Sequence, residues 1–346
     1  MSKNNHKPVI IWLFTGVFLI LVMVIIGGVT RLTHSGLSMV EWSFIGSAPP
    51  VTQQDWQVWF DKYQESPEFK ELNSDYNLED FQYIFWWEYV HRQFGRFIGV
   101  VFLIPFLFFF LYYLITGGIK TRWRLFRQLL IVLGLGVAQA LLGWFMVKSG
   151  LVKEPRVSHF RLAAHLVTAF ITCAYTFWVA LDLIYENNAP QQAFQSIRKW
   201  SKWLLPFILV QITFGAFVAG LGAGGVHNTF PMMDGEWMPE AVTAMDPVWV
   251  NFFQGRSGVQ FAHRYLAYAV TLLVGLVWWK SRKLDLDSSQ RKAVNALGAT
   301  VVLQFVLGVM TLLFAVPLVL GGAHQIGALL LLLSAVMVTH RFRLAT

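Results

Sequence analysis

The sequence predicts an all-α polytopic membrane protein, with eight transmembrane helices arranged as two four-helix bundles related by a pseudo-two-fold axis. Three observations lead there. The 346-residue chain is 56% hydrophobic and only 13% charged, too apolar for a water-soluble domain. Eight segments reach the roughly 20 mostly apolar residues that a helix needs to cross about 30 Å of hydrocarbon. A short phrase also occurs twice in near-copy, as Glu88-Tyr89-Val90-His91-Arg92 and Gln260-Phe261-Ala262-His263-Arg264.

The first apolar segment, about 9–29, is too long for a cleaved signal peptide, and Gly27-Gly28-Val29-Thr30-Arg31 has no small-x-small cleavage pattern. A polar stretch over 32–87 follows, rich in Trp, Tyr and acids, with turn signals at Ala48-Pro49-Pro50 and Ser66-Pro67. Within it, Asp55 to Tyr63 reads as a short amphipathic helix lying on the membrane interface. Spans two to five are expected at about 93–116, 126–147, 160–184 and 201–221. A second long loop, 222–259, contains His227-Asn228-Thr229-Phe230-Pro231-Met232-Met233-Asp234-Gly235. The last three spans are expected at about 261–280, 292–315 and 318–340, each opening directly after polar sequence. Loops as long as these two exceed ordinary connectors and are often functional.

Charge sets the orientation. With the N-terminus inside, the inner segments, from Lys3 to Arg343, hold 16 of the 27 basic residues against four acids, Asp182, Glu186, Asp285 and Asp287. The outer segments hold 11 basic and 15 acidic residues. Both termini are therefore expected in the cytoplasm. The formal charge of +8 is a topology signal and gives no reason to expect nucleic acid. The single cysteine, Cys173, falls in the fourth span, so no disulfide can form within the chain and the thiol reads as a small buried hydrophobe.

The chain divides into halves of four spans, 1–190 and 191–346. Gly27 to Gly36 closes the first span of one half, and Gly215 to Gly224 does so in the other. Gly36 and Gly224 are 188 residues apart and His91 and His263 are 172 apart, the difference being a longer first loop. Gln139-Ala140-Leu141-Leu142-Gly143 matches Gln304-Phe305-Val306-Leu307-Gly308, each in the third span of its half. Repeats separated by an even number of spans run parallel, which implies an axis along the membrane normal. Transporters use such repeats too, so the repeat alone names no function.

His91 and His263 open the second span of each half, and His165 and His324 lie near the start of the fourth. Lys280 is 17 residues beyond His263, and Arg341 is 17 beyond His324. At about 1.5 Å per residue both imidazoles stand roughly 25 Å above the inner charged boundary. Equal depth is what two axial ligands of one iron require. The first half is less regular, with 25 residues between His91 and Gly117 but 20 between His165 and Glu186. A lone membrane histidine is usually a core hydrogen-bonder; four at matched positions point to two bis-His haems. No Cys or Met cluster accompanies them, which disfavours zinc or copper. Arg92 and Arg264 follow their histidines at the outer rim, and Arg161 lies one turn before His165. Guanidinium groups there can pair with haem propionates.

Glu88 shares a helix face with His91 and Arg92, and its counterpart is the non-ionising Gln260. A carboxylate beside one haem only can take a proton or stabilise a developing cation. The plainer alternative makes it an ion-pair partner of Arg92 or Arg96. His34 and His227, in the outer loops, read as caps or local hydrogen-bonders. His6, His159 and His340 read as interface residues.

Taken together, these segments resemble the haem A synthase family, membrane enzymes that convert haem O to haem A for cytochrome oxidase assembly. The resemblance is carried by Gly28-Val29-Thr30-Arg31-Leu32-Thr33 with Ser35-Gly36-Leu37-Ser38-Met39, by the two His-Arg phrases, and by Asn228 to Gly235. It continues through Leu307-Gly308 with Thr311 and Val316-Pro317 with His324-Gln325, so that it runs from the first span to the last. It implies that His263 and His324 ligate a haem b, with Arg264 beside it. It implies equally that His91 and His165 flank the substrate haem O, with Arg92 beside it and Glu88 at the reacting edge. The implied reaction oxidises a ring methyl to a formyl group by successive hydroxylations. A haem O synthase is the implied donor partner, and the isoprenoid tail of haem O suggests an opening towards membrane lipid. Some members carry a cysteine pair in the first outer loop. This chain has none and resembles the type shared by many Gram-negative bacteria and mitochondria, so a mechanism using a loop thiol is excluded.

With no Arg/Ser-rich transit segment ahead of the first span, the expected location is the inner membrane of a bacterium, with the haem sites towards the outer side. The residues leave open the electron acceptor and whether the chain forms a homo-oligomer. The competing reading is a di-haem cytochrome b passing electrons between quinol and an outer partner, against which the Glu88/Gln260 difference argues. A transporter would instead place ionisable groups at half depth, and a structural assembly factor would hold no haem.

Overall fold

The computed structural model describes residues 6–43, 46–150, 157–185 and 194–343; Lys3 and Glu186, which entered the charge argument, lie outside them. Helices dominate because apolar backbone in lipid has to satisfy its own hydrogen bonds. Eight are long and apolar enough to cross a membrane: α1 (Lys7–Leu32), α4 (Leu78–Ile115), α5 (Trp123–Gly150), α6 (His159–Ile184), α7 (Gln195–Leu221), α9 (Arg256–Ser281), α10 (Ser288–Leu313) and α11 (Leu318–Arg341). Three short helices, α2 (Gln53–Gln64), α3 (Pro67–Leu72) and α8 (Asn251–Gln254), lie in the two long loops, and no β-strand occurs among the described residues. The protein is a multi-pass membrane protein of the expected all-α class.

The second span departs most from expectation. Its helix begins at Leu78 rather than near residue 93, so the Glu88–Arg92 phrase sits inside α4 instead of opening it. The cause is local. Asn77 Oδ1 accepts from the Glu79 and Asp80 amides at 2.8 and 3.1 Å, and Asp80 Oδ2 accepts from the Asn77 amide at 3.1 Å, a reciprocal cap that starts a helix firmly. Phe81, Ile84, Phe85 and Glu88 then recur at helical spacing and are all buried. A similar cap between Asp287 and Gln290 starts α10 at Ser288, ahead of the expected 292. Likewise α9 starts at Arg256, ahead of 261.

The short helix expected from Asp55 to Tyr63 is present as α2, capped by Thr52 and Asp55. Its apolar face of Trp56, Phe60 and Tyr63 packs on the extension of α4 and on Met39, so the protein rather than the membrane interface takes that face. Trp56 meets Phe85 edge-on at 5.1 Å, and Tyr63 stacks on Phe81 at 5.1 Å. Such pairs add about 0.5–1.5 kcal/mol each beyond their burial.

The chain forms two compact units, residues 18–169 and residues 1–17 with 170–346. In the second, α7 packs on α9 and α11, and α10 packs on α9 and α11, closing a ring of four helices. Cys173 is fully buried, its thiol 3.9 Å from the Val17 carbonyl, as the sequence led one to expect. His340 is not an interface residue. It is 3% exposed, and its Nε2 is 2.9 Å from Asp182 Oδ1, which Arg343 also engages. A largely buried aspartate needs donors, and these two come from the last turn of α11 and the residues just beyond it.

Two predictions arise from these packings. Glu68, 6% exposed, accepts from the Tyr63 hydroxyl at 3.3 Å, which itself accepts from Asn73 Nδ2 at 2.8 Å. Burial, helped by the charge of Glu88, pushes the Glu68 carboxyl up to about 8. The folded state thus holds a proton that the unfolded chain releases near about 4.3. Stability is full below that range, falls as pH rises to about 8, and stays level above it. Melting curves across this window should show the fall, and Glu68→Gln should remove it. Second, a Cβ on Gly224 would lie 2.6 Å from Cγ2 of Val316, whose own backbone is left-handed at φ 61. Gly224→Ala should destabilise by about 1–3 kcal/mol. Adding Val316→Gly, which removes the opposing methyl and the strained φ, should recover most of the melting temperature.

Candidate functional site

In the 18–169 unit, three consecutive contacts of α4 organise the outer loop. Glu88 is 2% exposed. Its Oε2 accepts from the Ser38 hydroxyl at 2.7 Å and the Met39 amide at 2.8 Å, and its Oε1 accepts from Arg92 Nη2 at 2.5 Å. Arg92 also donates to the Met39 and Glu41 carbonyls at 3.0 and 2.9 Å. The carboxylate therefore pins residues 38–41 onto the helix, and the ion pair with Arg92 exists. Arg96 is engaged elsewhere, by Gln93 Oε1 and the Ser43 carbonyl.

The 170–346 unit has the same contact built with opposite polarity. Gln260, also 2% exposed, donates Nε2 to the Ala223 and His227 carbonyls at 3.0 and 3.3 Å. Arg264 donates to the carbonyls of His227 at 2.5 Å and Thr229 at 2.8 Å. Where one loop offers donors, the helix carries Glu; where the other offers carbonyls, it carries Gln. Part of the Glu88/Gln260 difference is thus explained by loop binding. Arg92 and Arg264, expected to face propionates, are held by loop carbonyls, although the buried Nε of Arg264 has no hydrogen-bond partner. Arg161 rests over the Phe145 ring at 4.5 Å.

Each of the four histidines stands against a glycine of the preceding long helix. A Cβ on Gly27, Gly143, Gly215 or Gly308 would lie 3.0, 3.3, 3.0 or 2.8 Å from Cε1 of His91, His165, His263 or His324 respectively. Any larger residue would crowd the ring. One turn away, Gln139 Nε2 donates to the His165 carbonyl at 2.9 Å and Gln211 Nε2 to the His263 carbonyl at 3.1 Å. Gln304 Nε2 lies 3.4 Å from Nε2 of His324. The spacing Gln-x-x-x-Gly therefore marks three of the four positions, with Met23 in place of Gln before Gly27. Two of these phrases were visible as a repeat; Gln211 to Gly215 and the purpose of all three were missed, because spacing within one helix does not say which neighbour it touches.

The rings of His263 and His324 meet edge to face, with centroids 6.3 Å apart and planes at 86°. His91 of α4 and His165 of α6 belong to one compact unit. The Nδ1 atoms of all four are buried without a partner, a state that costs about 1–3 kcal/mol per group. Among the described residues no group of three or more His, Cys, Asp or Glu gathers into a metal cage. A macrocycle that brings its own four nitrogens needs only two imidazoles, so the residues present fit haem. His227 does not join them: its ring nitrogens are taken by Asp234 at 2.6 Å and Ser257 at 2.9 Å. His34 is exposed in the loop, with a left-handed backbone at φ 54.

A cavity of ≈ 210 Å³ is lined by Met39, Trp42, Arg92, Trp144, Val147 and Lys148 among others.

Known proteins are similar in sequence over nearly the whole length of this chain. Residues 10–336 match the family described as Cytochrome oxidase assembly protein. A protein of Flavobacterium psychrophilum named Heme A synthase is 47% identical, covering 98% of this chain and 99% of its own. The Heme A synthase of Nitrosospira multiformis is 44% identical over 98% of this chain and 94% of its own. Heme A synthase COX15 of Arabidopsis thaliana is 42% identical over 99% of this chain and 76% of its own. With two imidazole pairs built alike and a match spanning nearly every residue, the chain belongs to the cytochrome oxidase assembly protein family.

Proposed function

We infer that this chain makes haem A, oxidising one ring methyl of haem O to a formyl group through a hydroxymethyl intermediate, for cytochrome oxidase assembly. The observation that carries the reading is the paired imidazoles in each unit, every ring set against a glycine, with a buried carboxylate beside one pair only. The full-length likeness to proteins named Heme A synthase supports it. No comparable observation favours an electron-transfer cytochrome.

In this reading haem O is held between His91 and His165, with Arg92 at its acidic edge. Each hydroxylation releases electrons and protons in equal number, and water supplies the oxygen. Glu88 takes the proton or stabilises the cation that develops at the methyl. Ser38 and Met39 fix the direction of its oxygens, and Arg92 balances its charge. A haem b held by His263 and His324, with Arg264 beside it, supplies one-electron transfer. The halves 1–190 and 191–346 are related by a pseudo-two-fold axis, a view supported by the repeated imidazole–glycine contacts. The protein sits in a bacterial inner membrane with both termini cytoplasmic and the haem sites outward. It receives haem O from a haem O synthase and passes electrons to an acceptor outside the chain.

Expression with a haem O synthase, followed by chromatography and mass analysis of extracted haems, tests the activity. Haem b with haem A or hydroxylated haem O is expected. Haem b alone, with added haem O never oxidised, would overturn the reading. Glu88→Gln should retain haem and lower the oxidation rate by roughly 10²–10³, the range for loss of one preorganised electrostatic group. Ser38→Ala, which loosens the loop but keeps the carboxylate, separates chemistry from loop anchoring: a loss equal to that of Glu88→Gln would leave anchoring as the role. His263→Ala and His324→Ala should lose the haem b absorbance, whereas His91→Ala should keep it while losing haem O.

A further inference from the structure

The cavity at the outer end of α5 has a composition that the roles above do not use. Arg92 follows His91 directly, and Trp144 and Val147 follow Gly143, whose Cβ position abuts His165. Met39 and Arg92 also hold Glu88, so the cavity borders the Glu88 contact on the helix that carries His91. Its walls are apolar, with Trp42 and Trp144 meeting edge-on at 6.4 Å, and its charged residues are both cations, Arg92 and Lys148. Glu88 neutralises Arg92. Lys148 makes no ion pair among the described residues, and its Nζ rests 4.9 Å over the Trp144 ring. Among the described residues, one positive charge at this cavity is thus unbalanced.

We propose that Lys148 recognises a carboxylate of the substrate, drawing one propionate of haem O into the cavity lined by Trp42, Trp144 and Val147. This deepens the reading of haem O as substrate and rests on it. A lysine over an indole gives up a weak contact and gains a charge-assisted hydrogen bond without any backbone movement. The cavity of ≈ 210 Å³ suits the acid-bearing edge of the macrocycle, not the whole of it. Apolar walls around a single unbalanced cation select a flat ligand with a terminal acid. The plain alternative is an outer-rim lysine that reaches for lipid phosphate. It offers the same charge chemistry from another source.

The test compares haem O with its dimethyl ester, titrated by absorbance into the purified full-length protein in nanodiscs of zwitterionic or anionic lipid. Wild type should bind the diacid roughly tenfold more tightly than the ester, the scale of one charge-assisted hydrogen bond. Lys148→Met should weaken the diacid several-fold and leave the ester unchanged, and Lys148→Arg should restore most of the preference, in either lipid. Three results would overturn the proposal. One is an undiminished diacid preference in Lys148→Met. Another is an equal loss for both ligands, which would make the residue structural. The third is an effect confined to anionic lipid, which would assign Lys148 to head groups. Failure of wild type to take up either ligand would overturn the substrate reading itself, and that result is distinct from the other three.

Discussion

Burying a carboxylate costs several kcal/mol unless donors replace its lost water, and Glu88 meets this constraint with a hydroxyl, a backbone amide and a guanidinium. Residues 38–41 of the 18–169 unit are held to α4 through those contacts. Ser38 and Met39 can reach the carboxylate only if the loop folds back over α4. Arg92, once held, reaches two further carbonyls of the same loop. Such a pair adds little net stability compared with an apolar contact, but it fixes register. Here the register sets the side chain next to His91.

The same demand explains why α4 is so long. A loop pinned at Glu88 leaves the preceding turns with an apolar face to bury, and Phe81, Ile84 and Phe85 bury it under Trp56, Phe60 and Tyr63. The α2–α3 segment is therefore a lid of aromatic rings over the helix that carries the reactive phrase. Glu68 and Tyr63 lie within that lid, close enough for the charge of Glu88 to act on Glu68.

The two units solve one packing problem in two ways. Loop carbonyls over α9 require a donor, so Gln260 serves there; loop N–H and O–H groups over α4 require an acceptor, so Glu88 serves. A carboxylate next to one imidazole pair is then both a structural consequence and a chemical opportunity. Glycines at the imidazole rings are the complementary constraint. With no Cβ at Gly27, Gly143, Gly215 and Gly308, each ring can bring its Cε1 edge close against a neighbouring helix while its Nδ1 remains without a partner.

The sequence by itself determined the eight apolar spans, the all-α class and the four histidines. Hydrophobic length and the spacing of like residues along a helix are properties of the chain alone. It also showed that Glu88, His91 and Arg92 share a face, since three- and four-residue separations fix that in any helix. Only the tertiary structure decided what those groups touch. That α4 continues to Leu78 depended on a capping pair and on an apolar face covered from another part of the chain. The loop partners of Glu88 lie 49 and 50 residues away in sequence, and the groups that His227 bonds, Asp234 and Ser257, were named only by the fold. His340, which looked like an interface residue from its place at the end of a span, is buried because Asp182 needs its nitrogen. Hydrogen bonds between segments distant in sequence leave no periodic trace within either segment, and that is why these contacts could not be read until the chain was folded.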